Sequence, residues 1–296
     1  MGKIIYWTLE NASPALQPIE TNSLFYAENV VRYLKFTSAA AVRFCLSNSV
    51  TYILGNQFVK INSGSYFTVN NGTELECLPT PPGTKAVMAF FTTQLLADVN
   101  RTLSGNDKLL LNAPEAGAGS LHFFEHLHRQ PSRLSTQLQR IAHQMAASGK
   151  DNPTCSHDLF FSLAENLLMD QRQTRQQINS INARSFSTKE ELYRRVLAAH
   201  SFMHDQWDAP LTLHEVARYA CLSPYHFHRT FREIFGESPM LWFRKLKLEK
   251  AKALLAQYNI TEAALRCGYG DLVSFSKAFK RHWGVCPSDW TGMAKR

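Results

Sequence analysis

No stretch of this 296-residue chain reads as a membrane span: the apolar run from Ala86 to Phe91 is one short strand, against the roughly 18 residues a bilayer demands. The opening Met1-Gly-Lys-Ile-Ile-Tyr-Trp lacks the long apolar core and small-residue cleavage site of a secretory signal, so a cytoplasmic location is expected. Cysteine is sparse. Cys45, Cys77, Cys155, Cys221, Cys267 and Cys286 form no Cys-x-x-Cys pair, which argues against a zinc site or disulfide framework and for reduced, mostly buried thiols. His122, His126 and His128 share no metal motif, and no carboxylate stands at the spacing a metal-binding set would need. No metal or cofactor is therefore expected. No nucleophile–base pair rises above background either, so no catalytic residue is assigned and the chain does not read as an enzyme.

What is present fits an ordinary globular protein, with 45% hydrophobic and 19% charged residues and a length that suits two domains. The net charge of +8 is unevenly placed: residues 1–184 hold 15 Lys/Arg against 13 Asp/Glu, and residues 185–296 hold 17 against 11. A basic C-terminal third suits a polyanionic partner.

From Thr37 to about Leu96 the chain reads as short strands broken by turns. Val50–Gly55 and Phe58–Gly64 are two of them, and Ser65–Gly72 alternates until Asn71-Gly72, a favoured hairpin dipeptide. Pro79–Gly83 is a rigid loop, and Ala86–Thr92 reads as a strand buried on both sides. Strands at this spacing imply a small barrel or sandwich, whose interior is a natural small-molecule site.

From Pro131 the period becomes helical. Leu134, Leu138, Ile141 and Met145 share one face, and Gly149–Pro153 stops that helix. A second helix runs from about Asp158 to Ile178 on a stripe of Leu159, Leu163, Leu167 and Leu168, and turns polar after Asp170. Asn179–Ser187, polar and without period, reads as an interdomain linker. Beyond it, Ser187-x-x-Glu190 and Thr212-x-x-Glu215 read as capping boxes, and Ser223-Pro224 as a cap before a first-turn proline.

The last third carries one pattern twice, 48 residues apart: Phe227-x-Arg229-x-Phe231-Arg232-x-x-Phe235-Gly236-x-Ser238-Pro239, then Phe275-x-Lys277-x-Phe279-Lys280-x-x-Trp283-Gly284-x-Cys286-Pro287. Each copy is a basic amphipathic helix preceded by a shorter one, the sequence form of a helix-turn-helix. In the first unit Thr212–Tyr219 supports and Ser223–Phe235 reads, with Phe227, Phe231, Ile234 and Phe235 inward and Tyr225, His226, His228, Arg229 and Arg232 outward. In the second, Asn259–Arg266 supports and Asp271–Trp283 reads, with Phe275, Phe279 and Trp283 inward and Leu272, Val273 and Lys277 outward. Arginine forks onto guanine, histidine donates or accepts at a base edge, and apolar side chains meet thymine methyl groups. Arg232, Lys280 and Arg281 are placed for phosphates. Between the units Pro239–Gln257 reads as a connecting helix with Leu241, Leu248 and Leu255 seven apart. At about 1.5 Å per residue it spans roughly 27 Å, close to the ~34 Å between major-groove faces on one side of DNA.

The segment from about Glu191 to Trp290 resembles the DNA-binding domain of the AraC/XylS family of bacterial transcription regulators. The likeness rests on Ile260-Thr-Glu-x-Ala264-x-x-Cys267-Gly268-Tyr269-x-Asp271-x-x-x-Phe275-Ser276-Lys277-Ala278-Phe279-Lys280-Arg281 with Gly284-Val285-x-Pro287, and on Leu222-Ser-Pro-Tyr-His-Phe-His-Arg229 with Phe231. The departures are Cys221 where glycine is common, Lys277 where arginine is usual, Leu272 and Val273 at frequently polar positions, and Thr291 after the final aromatic.

The resemblance implies an α+β chain: a cupin-like N-terminal β-barrel with following helices over 1–184, and an all-α DNA-binding domain over 185–296, its units at about 212–235 and 260–283. Implied partners are double-stranded DNA, RNA polymerase, a small-molecule effector and a second copy of the chain paired through the helix Asp158–Ile178, with that helix packing on its own barrel as the other option. Two readings of function stay open: an activator controlled by a small molecule in the barrel, whose binding residues are unassigned, or an effector-independent regulator whose N-terminal domain dimerises or meets a protein. A third, fusion to a methyl-accepting enzyme, lacks the cysteine cluster that chemistry needs.

Overall fold

The computed structural model describes residues 3–7, 21–30, 33–55, 57–104, 122–129, 131–148 and 156–294, arranged as two compact units, Met1–Arg175 and Gln176–Arg296. The first is mixed sheet and helix. Its strands are β1 (Lys3–Trp7), β2 (Ser23–Glu28), β3 (Leu34–Ser38), β4 (Ala41–Ser47), β5 (Ser49–Leu54), β6 (Gln57–Asn62), β7 (Tyr66–Val69), β8 (Thr73–Cys77), β9 (Lys85–Phe90) and β10 (Leu127–His128). Its helices are α1 (Thr93–Leu103), α2 (Arg133–Ser148) and α3 (His157–Ser180).

The strands do not close into the barrel expected from the sequence. They form two sheets, one of six strands in the order β1-β2-β9-β4-β7-β10 and one of four in the order β3-β8-β5-β6. The Asn71-Gly72 turn explains part of the difference, because β7 and β8 on either side of it lie in different sheets. Gly72, at φ +85°, donates its N–H to Ser38 O, and the Asn70 side chain exchanges two hydrogen bonds with the Phe123 backbone. The dipeptide therefore turns a corner between sheets instead of closing a hairpin.

Alternation along each strand divides the core. Leu24, Tyr26, Val42, Phe44, Val87 and Ala89 meet α1, α2 and α3 through Leu95, Leu134, Leu138, Leu163 and Leu167. On the opposite face, Cys45, Phe67, Val69 and Ala86 meet Val50, Tyr52, Ile61, Leu75 and Cys77 of the four-stranded sheet. The six-stranded sheet is thus the middle layer, which is why β9 is buried almost throughout. The stripe expected on α2 is the buried one, whereas the helix stop at Gly149–Pro153 and Cys155 lie outside the described residues. Strands β1 and β2 and helix α1 were not anticipated.

Among the described residues the second unit is helical: α4 (Phe186–Asp205), α5 (Leu213–Tyr219), α6 (Pro224–Phe235), α7 (Pro239–Leu255), α8 (Ile260–Arg266), α9 (Leu272–Trp283) and α10 (Pro287–Ala294). The expected linker is shorter than its sequence suggests, with helices taking both of its ends. Helix α3 continues to Ser180, with Ile178 and Ile181 buried, and only residues 181–185 separate it from α4. The Ser187 capping box does not form. Ser185 is the N-cap instead, its hydroxyl accepting from Thr188 N at 3.1 Å, so Ser187 already lies inside the helix. Thr212 and Glu215 do form a capping box at the start of α5. Leu248 and Leu255 of α7 are buried but Leu241 is exposed, so the seven-residue spacing does not mark a single buried stripe.

Candidate nucleic-acid interface

The two repeats fold alike. Helices α5 and α8 each have seven residues, with Thr212 and Asn259 as N-caps accepting from Glu215 N and Glu262 N. Their C-terminal turns use one hydrogen-bond pattern. Ala220, Cys221 and Leu222 donate to Val216 O, Arg218 O and Ala217 O; Cys267, Gly268 and Tyr269 donate to Ala263 O, Leu265 O and Ala264 O. Helices α6 and α9 each have twelve residues, are N-capped by Ser223 and Asp271, and are C-capped by Gly236 at φ +77° and Gly284 at φ +76°. The supporting helices are offset by 47 residues and the longer ones by 48, so the second turn holds one extra residue, Gly270.

Matched turn geometry gives the Cys221 substitution a physical meaning. Cys221 sits at φ +53° and its counterpart Gly268 at φ +69°, both left-handed, where only glycine is free of a Cβ penalty. Cys221 tolerates the conformation with its side chain exposed. Gly268 has no such latitude, since a Cβ there would lie 2.6 Å from Asp208 O and 2.8 Å from Lys247 Nζ.

Aromatic stripes hold both longer helices in place. Phe227, Phe231 and Ile234 are buried on α6, and the His200 ring of α4 stacks on Phe235 at 4.6 Å. On α9 Phe275 and Phe279 are buried, and Trp283 donates Nε1–H to Leu248 O at 3.3 Å while Lys252 Nζ lies 3.0 Å from its ring centroid. The opposite faces are open. Tyr225 and Arg229 are exposed one turn apart on α6, as are Val273 and Lys277 at the equivalent positions of α9, with Tyr225 at 78% and Val273 at 61%. Arg232, Lys280 and Arg281 are exposed further along. His226 is exposed, His228 half-buried, and Leu272, in the first turn of α9, 41% exposed. All ten residues singled out in the sequence therefore lie on these two helices, five on each.

One partner escaped the sequence reading. Arg229 Nε donates to Glu233 Oε1 at 3.0 Å, and the other carboxylate oxygen of Glu233 accepts from Asn182 N at 3.3 Å. The four-residue spacing of Arg229 and Glu233 on a helix was the available signal. The ion pair leans the guanidinium along α6 while its Nη groups remain donors for an acceptor. At the equivalent position α9 carries Arg281, so Lys277 has no acid four residues further along. Asp271, the N-cap of α9, is held below the ordinary carboxylate range by hydrogen bonds from the Ser274 backbone and side chain.

Elsewhere, burial pushes the Cys45, Cys77 and Cys267 thiols up to about 11, so they are protonated at neutral pH. His126 and His128 lie together, with His128 stacked on Tyr66, whose hydroxyl donates to Asp170.

Residues 216–293 match the model of a helix-turn-helix domain. Curated relatives include the regulator ArgR of Pseudomonas aeruginosa, 30% identical over 84 residues (28% of this chain, 26% of ArgR). They also include the activator RhaS of Klebsiella pneumoniae, 27% identical over 197 residues (65% of this chain, 64% of RhaS). The chain thus spans 26% to 64% of the length of these two relatives. Among solved structures, the C-terminal domain of AraT from Geobacillus stearothermophilus is 31% identical, covering 33% of this chain and 84% of that one at a TM-score of 0.33. ToxT from Vibrio cholerae is 11% identical, covering 92% and 98% at 0.35. Residues 216–293 thus carry a helix-turn-helix domain similar to those of proteins named as transcriptional regulators.

Proposed function

We propose that the chain is a sequence-specific DNA-binding transcription regulator, an activator, whose two helix-turn-helix units read adjacent major-groove segments. The observation that carries this is the matched pair of exposed faces on α6 and α9, each cationic and each backed by a buried aromatic stripe. On this reading Tyr225, His226, His228 and Arg229 meet bases in one segment, Leu272, Val273 and Lys277 in the next, and Arg232, Lys280 and Arg281 meet phosphates. Residues 185–296 are the reader, and residues 1–184 are a cupin-like regulatory region that a small molecule controls. RNA polymerase is the protein partner, and a second copy pairs through α3. The relatives named as transcriptional regulators support this reading over an enzymatic one.

Selection of genomic fragments by the purified full-length chain at ~150 mM salt, followed by footprinting, tests it. Two short protected elements about one helical turn apart are expected. Uniform, salt-sensitive binding with no footprint would overturn it.

A further inference from the structure

The sequence of β4, Ala-Val-Arg-Phe-Cys-Leu-Ser, places one arginine in an otherwise apolar strand of the middle layer. Arg43 is 2% exposed and points between the two sheets. Its guanidinium lies 5.1 Å from the Phe36 ring centroid, 5.0 Å from that of Tyr52 and 5.6 Å from that of Phe90. Nη2 donates to Ser38 Oγ at 2.9 Å, and Nη1 faces the Met88 sulfur at 3.1 Å with the Tyr52 hydroxyl at 3.5 Å. Nε is buried with no partner, and among the described residues Arg43 forms no ion pair with an acid.

Arginine stays charged in any protein environment. A buried cation is ordinarily matched by an anion that also takes up its donors. Here aromatic faces and a thioether, a weak acceptor, stand where a strong one would go. The same side chain lines a cavity with Phe25, Val30, Leu34, Tyr52 and Met88, and no Asp or Glu is among its lining residues. The cavity leaves about 20 Å³ within its walls, room for a single water. A larger guest must displace something, and the flexible Met88 side chain at Nη1 is the group best suited to yield.

We propose that this cavity binds a small organic monocarboxylate with an apolar body, its carboxylate accepting from the Nε–H of Arg43 while the Met88 side chain yields space to the body. The body then lies among Phe25, Phe36, Tyr52 and Phe90. This rests on the reading of residues 1–184 as a ligand-controlled region and names the chemistry of the ligand.

The test is thermal melting of the full-length chain with benzoate and hexanoate, each against its neutral amide, and the same samples footprinted on a selected DNA site. Carboxylates should raise the melting midpoint by about 2 °C or more and the amides should leave it unchanged. Arg43→Met, apolar and of similar reach, should abolish the carboxylate response. If that variant does not fold, the acid–amide contrast on the unmodified chain decides alone. Equal responses to acid and amide, or none to either, overturn the proposal, and a footprint that persists in those samples leaves the DNA-binding reading intact. A carboxylate response with an unchanged footprint supports the site while removing it as the control of DNA binding.

Discussion

At the scale of single residues, the left-handed turn position separates two substitutions that sequence alone would treat as equivalent. Cys221 and Gly268 share a hydrogen-bond pattern, yet only Gly268 is crowded by backbone. Cys221→Gly removes a left-handed penalty of about 1–2 kcal/mol and adds roughly 0.5–1 kcal/mol of unfolded-chain freedom, for a net gain of about 0.5–1 kcal/mol. Gly268→Ala combines strain with a clash at Asp208 O and should lose roughly 2–4 kcal/mol. Urea midpoints of the full chain check both, and a stabilised Gly268→Ala would mean the turn relaxes freely. On the proposed reading the residues of α6 and α9 divide similarly, by what each would touch. Arg229→Ala should cost about 1–3 kcal/mol on the selected site and relax preference at one base position. Lys280→Ala should weaken selected and random DNA alike. Equal losses on both DNAs for both variants would refute the division of roles.

Elements supply the next level, through their ends. The Thr212–Glu215 capping box holds Glu215 below its ordinary pKa of 4.5, chiefly through the hydrogen bond from the Thr212 side chain. A carboxyl depressed by folding adds stability above its unfolded pKa and loses it as the pH falls through the lower folded value. Glu215→Gln should therefore be less stable than the parent at neutral pH, the gap narrowing below pH ~4.5 and closing in stronger acid. A gap independent of pH would show that the carboxylate charge is not what the cap uses. Caps and stripes of this kind made the C-terminal helices legible, because each signal is local: Ser223-Pro224, Asp271 and the glycines after α6 and α9 fall where the helices begin and end. The Ser187 motif misled because Ser185 offers the same chemistry two residues earlier. The sheets were less legible for a different reason. Alternation places side chains on faces but does not say which strands pair, and a turn such as Asn71-Gly72 serves a hairpin or a corner equally well. Arg43 was not singled out in the sequence, because its lack of an acidic partner among the described residues depends on contacts across sheets that no local pattern encodes.

For the whole molecule, the charge imbalance becomes a measurable quantity. If Arg232, Lys280 and Arg281 are the phosphate contacts, the binding constant should fall with a log–log salt slope of about −2.7, a loss of roughly 40-fold between ~50 and ~200 mM salt. Lys280→Ala should flatten that slope by about 0.9, and an unchanged slope would remove it from the phosphate set. The crowding of Gly268 by Asp208 O bears on the DNA sites the proposed regulator can use. Lys247 of α7 donates to Ala209 O at 2.9 Å, and Gly268 packs against Asp208 O, so the segment before the first unit is fastened to the turn of the second. Trp207 joins the second unit's core as well. The two readers therefore cannot swivel independently. Each base pair inserted between two binding elements turns one about the DNA axis by about 34° relative to the other, and a fastened pair cannot follow. Operators for this protein should accordingly tolerate changes of letter within an element far better than the gain or loss of a single letter between them.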